Sequence, residues 1–244
     1  KKLTDAIRAE SKQAISTLFQ VGEKNKIKYL NFPQKEEDIN LFLNNLNWNF
    51  PWSAGAQFSA LCVFSKTQLD SNDFEYCKDA HYKFISKIVN NKDGAYYRNR
   101  TPNQQELVNG CMKVLTGLDW LDSPIHYPEK LIDMCLNINP SQEGCDIVDI
   151  VYVLYRCLNE SNYREKEVMS YFDKTIELIE KHYFYGEGGF SYFIHKSQKN
   201  YYGLSISTGQ NTPDIHGTTL LLWAISMVLN TIEKKSSNWN VIKP

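Results

Sequence analysis

Hydrophobic residues recur at helical spacing along almost the whole chain. In five segments the apolar positions occupy one face of a helix and the opposite face is polar. These amphipathic segments are 3–19, 36–46, 74–89, 128–136 and 164–183. Four further segments are apolar around most of their circumference, namely 53–64, 103–118, 143–158 and 214–229. The pattern predicts nine helices in which, after the first, amphipathic and apolar helices alternate.

The apolar helices predict an architecture of two layers. A helix that is apolar all round must be buried all round. Residues 147–154 and 220–225 leave no polar face of useful width. Because each apolar segment continues beyond about ten residues without a turn signal, we interpret these segments as helices and not as strands. Alternation with the amphipathic helices then predicts an inner ring of apolar helices within an outer ring, in an almost all-α protein.

Glycine followed by an aromatic residue marks two of the connections. Residues 93–97 (DGAYY) precede one apolar helix, and residues 186–192 (GEGGFSY) lie upstream of another. Glycine permits a tight reversal with positive φ, and the aromatic ring can pack against the wall of the helical layer. Repetition of outer helix, turn and inner helix predicts helical hairpins that form a closed or partly closed α/α barrel.

Three of these junctions carry a family resemblance: residues 93–96 (DGAY), 188–191 (GGFS) and 214–220 (DIHGTTL). They resemble the turn-to-inner-helix junctions of the α/α-toroid superfamily, which includes terpenoid cyclases, protein prenyltransferase β subunits and several carbohydrate-active enzymes. The resemblance extends over residues 32–229 and implies an all-α fold of the α/α-toroid type. A complete toroid has more helices than the pattern gives here, which implies an incomplete ring.

The same pattern sets the expected domain organisation. We expect a single toroid-like domain over residues 1–244, with an N-terminal helical segment at 1–30 and the helical barrel at 31–244. The sequence begins with Lys1 and not with Met. We therefore expect it to be part of a longer protein, whose other domains are candidate partners.

Composition and charge exclude several classes of protein. The chain is 42% hydrophobic and 13% aromatic, which excludes a disordered or fibrous protein. Its net charge of −1 provides no field that would recruit nucleic acid or an anionic membrane. No uninterrupted apolar run reaches the roughly 18 residues of a membrane span, and charged residues interrupt the beginning of the chain where a signal peptide would lie. We expect neither a nucleic-acid partner nor a membrane span.

Cysteine usage points to a reducing compartment. The six cysteines form no CxxC pair and most of them lie in apolar helical segments, so we expect reduced cysteines in a cytoplasmic protein. The basic residues are nearly all Lys, and Asn and Ile are frequent. This composition is typical of an AT-rich bacterial genome.

Polar residues stand where the inner helices are predicted to begin. In a toroid these ends converge on one mouth of the cavity, and the candidate catalytic residues there are Asp146, Asp149, Asp214 and His216. Asp149 lies a full turn inside an apolar helix, where an unpaired carboxylate would be costly. It is either half of a structural ion pair or a functional carboxylate.

Asp214 and His216 form the strongest single motif. Two residues apart at the start of a helix, both side chains can face a cavity mouth, and a neutral His216 could act as a general base or a metal ligand. The alternative is a histidine satisfied by a backbone carbonyl. Capping of a helix is the corresponding alternative for Asp214, and also for Asn103 and Ser53.

The candidate substrate-binding residues share aromatic, amide or cationic side chains near the predicted mouth. They are Trp52, Gln57, Arg98, Asn109, Lys113, Tyr192, Tyr201 and Tyr202. The last two lie in a long loop at residues 195–212. Because long loops in compact domains are usually functional or disordered, this loop predicts a lid over the cavity.

A zinc site is the alternative to a protein without a cofactor. Protein prenyltransferase β subunits hold zinc with an Asp, a Cys and a His on inner helices, and Cys145, Asp146 and His216 offer those ligand types. The order Cys145-Asp146 departs from the Asp-x-Cys order of that family. We therefore expect no cofactor, with zinc at these three residues as the alternative.

Three functions stay open from the sequence. The first is a carbohydrate-active enzyme of hydrolase or lyase type, in which aromatic walls stack on a glycan or small-molecule ligand and the carboxylates, Glu143 included, supply an acid and a base. The second is a prenyltransferase-like or terpenoid-cyclase-like enzyme with the cavity as an apolar sleeve, although the DxDD motif of squalene-type cyclases is absent. The third is a non-catalytic binding or assembly module.

Overall fold

A computed structural model describes residues 2–139, 141–201, 203–233 and 240–244. The described residues form nine helices and four two-residue strands. The helices are α1 (Lys2–Gln20), α2 (Glu36–Asn44), α3 (Pro51–Gln68), α4 (Ser71–Ile85), α5 (Gln104–Trp120), α6 (Pro128–Leu136), α7 (Gly144–Leu158), α8 (Glu165–Glu180) and α9 (Ile215–Glu233). Each coincides with one of the nine predicted segments, which confirms the predominantly helical fold.

The strands pair locally in two antiparallel hairpins. The pairs are β1 (Tyr183–Phe184) with β2 (Gly189–Phe190), and β3 (Asn200–Tyr201) with β4 (Leu204–Ser205). The second hairpin lies within the loop at 195–212 that the sequence predicts as a lid. Tyr202, another predicted binding residue, falls outside the described residues.

The chain divides into two compact units. The first unit comprises the residues up to Lys130 together with Ile242–Pro244, and the second unit comprises those from Leu131 to Val241. The expected single domain over residues 1–244 stays a prediction. Each unit has its own buried helices, so each is described separately.

Helix α3 is the centre of the first unit. It packs against α1, α4 and, most extensively, α5. Glycines allow the close approach of α3 and α5: a Cβ added to Gly117 would lie 2.6 Å from Cε1 of Phe58, and one added to Gly110 would lie 2.5 Å from Cβ of Pro51. Larger side chains at these positions would force the two helices apart, because protein interiors are close-packed.

In the second unit α7 is enclosed as the sequence predicts. Its residues 147–154 are all buried, and the helix packs against α8 and α9. Apolar residues on all sides of α7 are therefore covered by neighbouring parts of the unit, which explains the absence of a polar face in this segment.

Helix α9 differs from the prediction. Leu221, on the side where α9 packs against α7, is fully buried, but Ile215, Leu222 and Ile232 remain 87%, 44% and 46% exposed. The prediction that α9 is buried all round is therefore wrong. By length and composition α9 is also long and apolar enough to cross a membrane, and 39% of its most apolar 18-residue stretch is buried. Core helices of soluble proteins can be equally long and apolar.

The predicted caps have mixed outcomes. Asn103 caps α5 in a capping box: its Oδ1 accepts the backbone N–H of Glu106 at 2.9 Å, and the Glu106 side chain accepts that of Asn103 at 3.1 Å. The prediction for Ser53 is wrong, because α3 begins at Pro51 and its N-cap residue is Phe50. Proline is favoured at that first position because it needs no N–H acceptor, so the helix starts one half-turn earlier.

Candidate functional site

The beginnings of α7 and α9 meet at Tyr192 in the second unit. The backbone carbonyl of Tyr192 accepts the N–H of Gly144, the first residue of α7, at 2.9 Å. Its own N–H donates to Oδ2 of Asp214, the residue before α9, at 2.8 Å. One residue therefore ties both helix ends together. We call the surrounding group the Tyr192 cluster, which consists of Glu143, Cys145, Tyr192, Gln198, Tyr201, Asp214 and His216.

The imidazole of His216 is held on three sides. It stacks on the Tyr192 ring with centroids 5.3 Å apart and an interplanar angle of 21°, and the Tyr201 ring meets it edge-on at 5.2 Å. Its Nδ1 contacts Oε1 of Gln198. A neutral imidazole that donates from Nδ1 to this amide oxygen carries its lone pair on Nε2. That tautomer is the form required of a general base.

Asp214 holds the local structure together. Its Oδ1 accepts the N–H of Gly217 at 2.7 Å, which caps α9. Its Oδ2 accepts the N–H groups of Tyr192 at 2.8 Å and of Gln198 at 3.1 Å. Both carboxylate oxygens are thus engaged with backbone donors, and the predicted capping alternative is confirmed for this residue. Its contribution to a site is to position Gln198 and Tyr192 around His216.

Glu143 and Asp146 stand at the start of α7. Glu143 is the N-cap residue, but its side chain makes no capping hydrogen bond. Partial burial, with a smaller contribution from the charge of Asp146, raises the pKa of Glu143 above its usual value. A general acid is expected to keep its proton to a higher pH than an ordinary carboxyl group does.

Asp149 lies one turn further into α7. It is buried, with 3% of its surface exposed, whereas Asp146 in the first turn is half-buried. The structure therefore places Asp146 at the edge of the site and Asp149 inside the helical layer. The two interpretations of Asp149, structural pair and functional carboxylate, both stay predictions.

Tyr192 and Cys145 form a hydrogen-bonded pair behind His216. Burial, followed by the Cys145 thiol and the Glu143 carboxylate, raises the pKa of Tyr192 far above its usual value. Tyr192 is therefore a neutral phenol across the physiological range. Cys145 is the one half-buried cysteine; the other five are buried, and none of the six, all within the described residues, forms a disulfide.

Five of the predicted binding residues belong to the first unit. Trp52 is 45% exposed, and the Lys113 ammonium lies 5.7 Å from its ring centroid. Gln57 is buried and contacts Arg8. The other two make local hydrogen bonds: Arg98 donates to Asn44 at 3.0 Å, and Asn109 accepts from Gln105 at 2.7 Å.

The predicted residues therefore fall into two groups, one in each unit. Asp214, His216, Tyr192 and Tyr201 meet in the second unit, together with Gln198, which the sequence analysis missed. A polar residue in a long loop gives no signal of its own, since its role depends on where the loop folds back. In the first unit Gln57 contacts Arg8 of α1, and the charge of Lys113 acts on Lys12 of α1. The sequence singled out neither of these two basic residues.

An open depression adjoins the Tyr192 cluster. Its volume is about 370 Å³, and Asp214 is shared between the two. The depression is lined by Gly188, Gly189, Pro213, Asp214, Ile215, Thr218 and Thr219. Its floor is formed by the first turn of α9 and by the β1–β2 hairpin, so a ligand seated there would lie beside the start of α9.

The predicted zinc ligands do not assemble. Across the described ranges, no group of three or more His, Cys, Asp or Glu side chains is arranged to hold a metal ion. Cys145 instead pairs with the Tyr192 hydroxyl, and His216 is turned towards Gln198.

Comparisons of the chain with protein-family models, curated proteins and solved structures found no match. The interpretation of the site therefore depends on its own geometry.

Proposed function

We propose that the protein is a carbohydrate-active enzyme that works by acid–base catalysis at the Tyr192 cluster. The observation that carries this proposal is the convergence on Tyr192 of two groups: His216 from α9, whose Nδ1 faces the Gln198 amide oxygen, and Glu143 at the start of α7, whose pKa is raised. An oriented imidazole and a carboxyl group can supply the base and the acid that glycoside cleavage or elimination needs.

Aromatic rings beside the acid and base favour a carbohydrate over other ligands. Tyr201 is 41% exposed and meets His216 edge-on, and a partly exposed ring of this kind can pack against the C–H groups of a sugar ring. Tyr183 and Tyr185 stand on the neighbouring β1–β2 hairpin, with centroids 5.0 Å apart. Rings of this kind bury apolar area while their hydroxyl groups keep polar partners, which suits an amphipathic ligand such as a glycan.

For the reaction type we propose elimination on a glycan that contains uronate residues. In this step His216 Nε2 takes the proton from the carbon next to the uronate carboxyl group. The electron pair forms a C=C bond, the C–O bond to the leaving sugar breaks, and Glu143 gives that oxygen its proton. Asn109 and Arg98, two of the predicted substrate-binding residues, belong to the first unit and have no role in this proposal.

Product analysis on a panel of neutral and uronate-containing polysaccharides tests the proposal. Elimination produces unsaturated ends that absorb in the near ultraviolet, and hydrolysis produces reducing ends without that absorbance. His216→Asn and Glu143→Gln should each lower kcat by roughly 10²–10⁴, while His195→Asn, a change at an exposed histidine, should not. Absence of both products from every polysaccharide, or full activity of the His216 variant, would refute the proposal.

A non-catalytic binding module is the second candidate, and one observation favours it. The exposed apolar side chains of α9, Leu222 and Ile232 among them, form a surface that a partner could cover. The isoprenoid alternative has no comparable observation in its favour. This candidate predicts that the chain is inactive on the whole polysaccharide panel.

We extend the proposal to the arrangement of the helices, the cofactor requirement and the cellular location. We propose the α/α-toroid arrangement, with α3, α5, α7 and α9 as inner helices, because they alternate with the amphipathic helices. The proposed chemistry uses side chains alone and needs no cofactor. We propose a cytoplasmic location, in keeping with six free cysteines.

A further inference from the structure

Three basic side chains of the first unit are gathered on adjacent helices. Arg8 and Lys12 lie four residues apart on α1, and therefore on one face of it. Helix α1 packs against α3, and α3 packs against α5, which carries Lys113. The Lys113 stem lies close over α3, since a Cβ added to Gly55 would come within 3.0 Å of Cβ of Lys113.

The positive charge of this group is not balanced. Asp5 pairs with Arg8 at 3.4 Å, and within the described ranges no second carboxylate pairs with Arg8, Lys12 or Lys113. Two positive charges therefore remain when all three basic groups are protonated. The Nε–H of Arg8 is buried and has no acceptor in the part of the chain that the structure describes.

Without a bound anion, holding these positive charges together lowers the stability of the protein. Burial and the charge of Lys113 lower the pKa of Lys12 to about 7. With this pKa, Lys12 loses its charge at a far lower pH than an exposed lysine does, because burial disfavours the cation. Structural networks usually pair each cation with a carboxylate, whereas an anion site leaves its cations unpaired until the ligand arrives.

We propose that Arg8, Lys12 and Lys113 form a binding site for a phosphate-type oxyanion, with Trp52 beside it. A phosphate dianion neutralises the two excess charges, and its oxygens supply acceptors for the Arg8 Nε–H and for both lysine ammonium groups. Trp52 lies 5.7 Å from the Lys113 ammonium and is 45% exposed. Its ring can therefore contact an organic group attached to the phosphate. This site belongs to the first unit and is independent of the function proposed for the second.

Isothermal titration with pyrophosphate tests the site. The wild-type chain should bind the probe at millimolar concentration or below, and should take up most of one proton at pH 8, because the bound anion returns Lys12 to its charged form. Repeating the titration in two buffers of different ionisation enthalpy measures this uptake. No binding by the wild-type chain would overturn the proposal.

Variants separate the site from a general attraction of anions. Lys12→Met and Lys113→Met should each weaken binding about tenfold or more, because each removes a charge-assisted hydrogen bond. Lys12→Arg should keep the affinity within a few-fold but lose the proton uptake, since arginine stays charged. Lys92→Met, at an exposed turn, is the matched control. Equal weakening by Lys92→Met, or unchanged binding in both cluster variants, would overturn the proposal; circular dichroism establishes that each variant is folded.

Discussion

At the scale of single residues, one glycine decides whether the Tyr192 cluster can form. Gly217 lies against the backbone of the two residues that follow β2, Ser191 and Tyr192. A Cβ added to Gly217 would lie 2.5 Å from the carbonyl carbon of Ser191 and closer still to the backbone nitrogen of Tyr192. No flexible side chain can move aside here, because both neighbours are backbone. The contact brings the start of α9 against Tyr192 and so sets the position of His216.

Replacement of Gly217 by alanine should therefore lower the stability of the second unit. Alanine is the better helix former by about 1 kcal/mol, but overpacking costs about 1–3 kcal/mol and backbone cannot yield cheaply. We expect Gly217→Ala to lower the free energy of unfolding in urea, with Gly186→Ala as the control. Gly186 has nothing within 4 Å of its added Cβ. Equal stability of the two variants would contradict the packing described.

A second residue-scale prediction concerns His81 in the first unit. The imidazole is fully buried, its Nδ1 contacts the carbonyl of Cys77, and its Nε2 has no hydrogen-bond partner among the described residues. Burial lowers the pKa of His81 from 6.5 to about 4. The unfolded chain therefore binds a proton at higher pH than the folded chain does.

The sign of the pH dependence follows from this difference. Between pH 6.5 and about 4 the unfolded state binds more protons, so the free energy of unfolding falls as the pH falls, by about 3 kcal/mol over the window. We expect urea titrations of the wild-type chain to show this loss, and His81→Gln to show a smaller slope. His195→Asn, at an exposed histidine, should keep the wild-type slope. An unchanged slope in the His81 variant would argue against a buried neutral imidazole.

At the scale of elements, the helices differ in how completely their apolar residues are covered. Residues 147–154 of α7 are buried throughout, whereas α9 has one buried and one exposed apolar side. The sequence patterns of the two helices are alike, because periodicity records which residues are apolar and not which neighbours are present. This is why α7 could be predicted from the sequence and the exposed side of α9 could not.

Substitutions at two adjacent leucines of α9 test the difference between its buried and its exposed side. Leu221 is fully buried and Leu222 is 44% exposed. Leu221→Ala should lower the free energy of unfolding by about 2–5 kcal/mol, because it leaves a cavity, and Leu222→Ala should cost less than about 1 kcal/mol. Thermal unfolding followed by circular dichroism provides the comparison. A similar loss in both variants would mean that the Leu222 side is covered in solution.

The start of α5 provides a further prediction at this scale. Asn103 and Glu106 close a capping box, so Asn103→Ala should destabilise the first unit by about 1 kcal/mol. Ser53 lies inside the first turn of α3 and caps nothing. We expect Ser53→Ala, the matched control, to leave stability unchanged in the same denaturation experiment. A larger loss from Ser53→Ala than from Asn103→Ala would reverse the assignment of caps.

At the scale of the whole molecule, helix positions were predictable and the assembly of sites was only partly so. Each of the nine helices follows from hydrophobic spacing, and Asp214 and His216 stand together because they are close in sequence. Gln198 and Arg8 came from segments without a distinguishing pattern, since a loop amide or a charge on an amphipathic helix resembles many solvated side chains. Their partners are set by packing between elements, which spacing along one chain does not encode.

In the proposed function, the Tyr192 cluster is the place where the protein binds its substrate. Hydrogen–deuterium exchange tests it most directly, with His216→Asn used to hold oligosaccharides from the same panel without turnover. We expect slower exchange at residues 141–146, 189–201 and 214–218 when a uronate-containing oligosaccharide is added. Unchanged exchange in these segments with every oligosaccharide, or protection confined to the first unit, would contradict it.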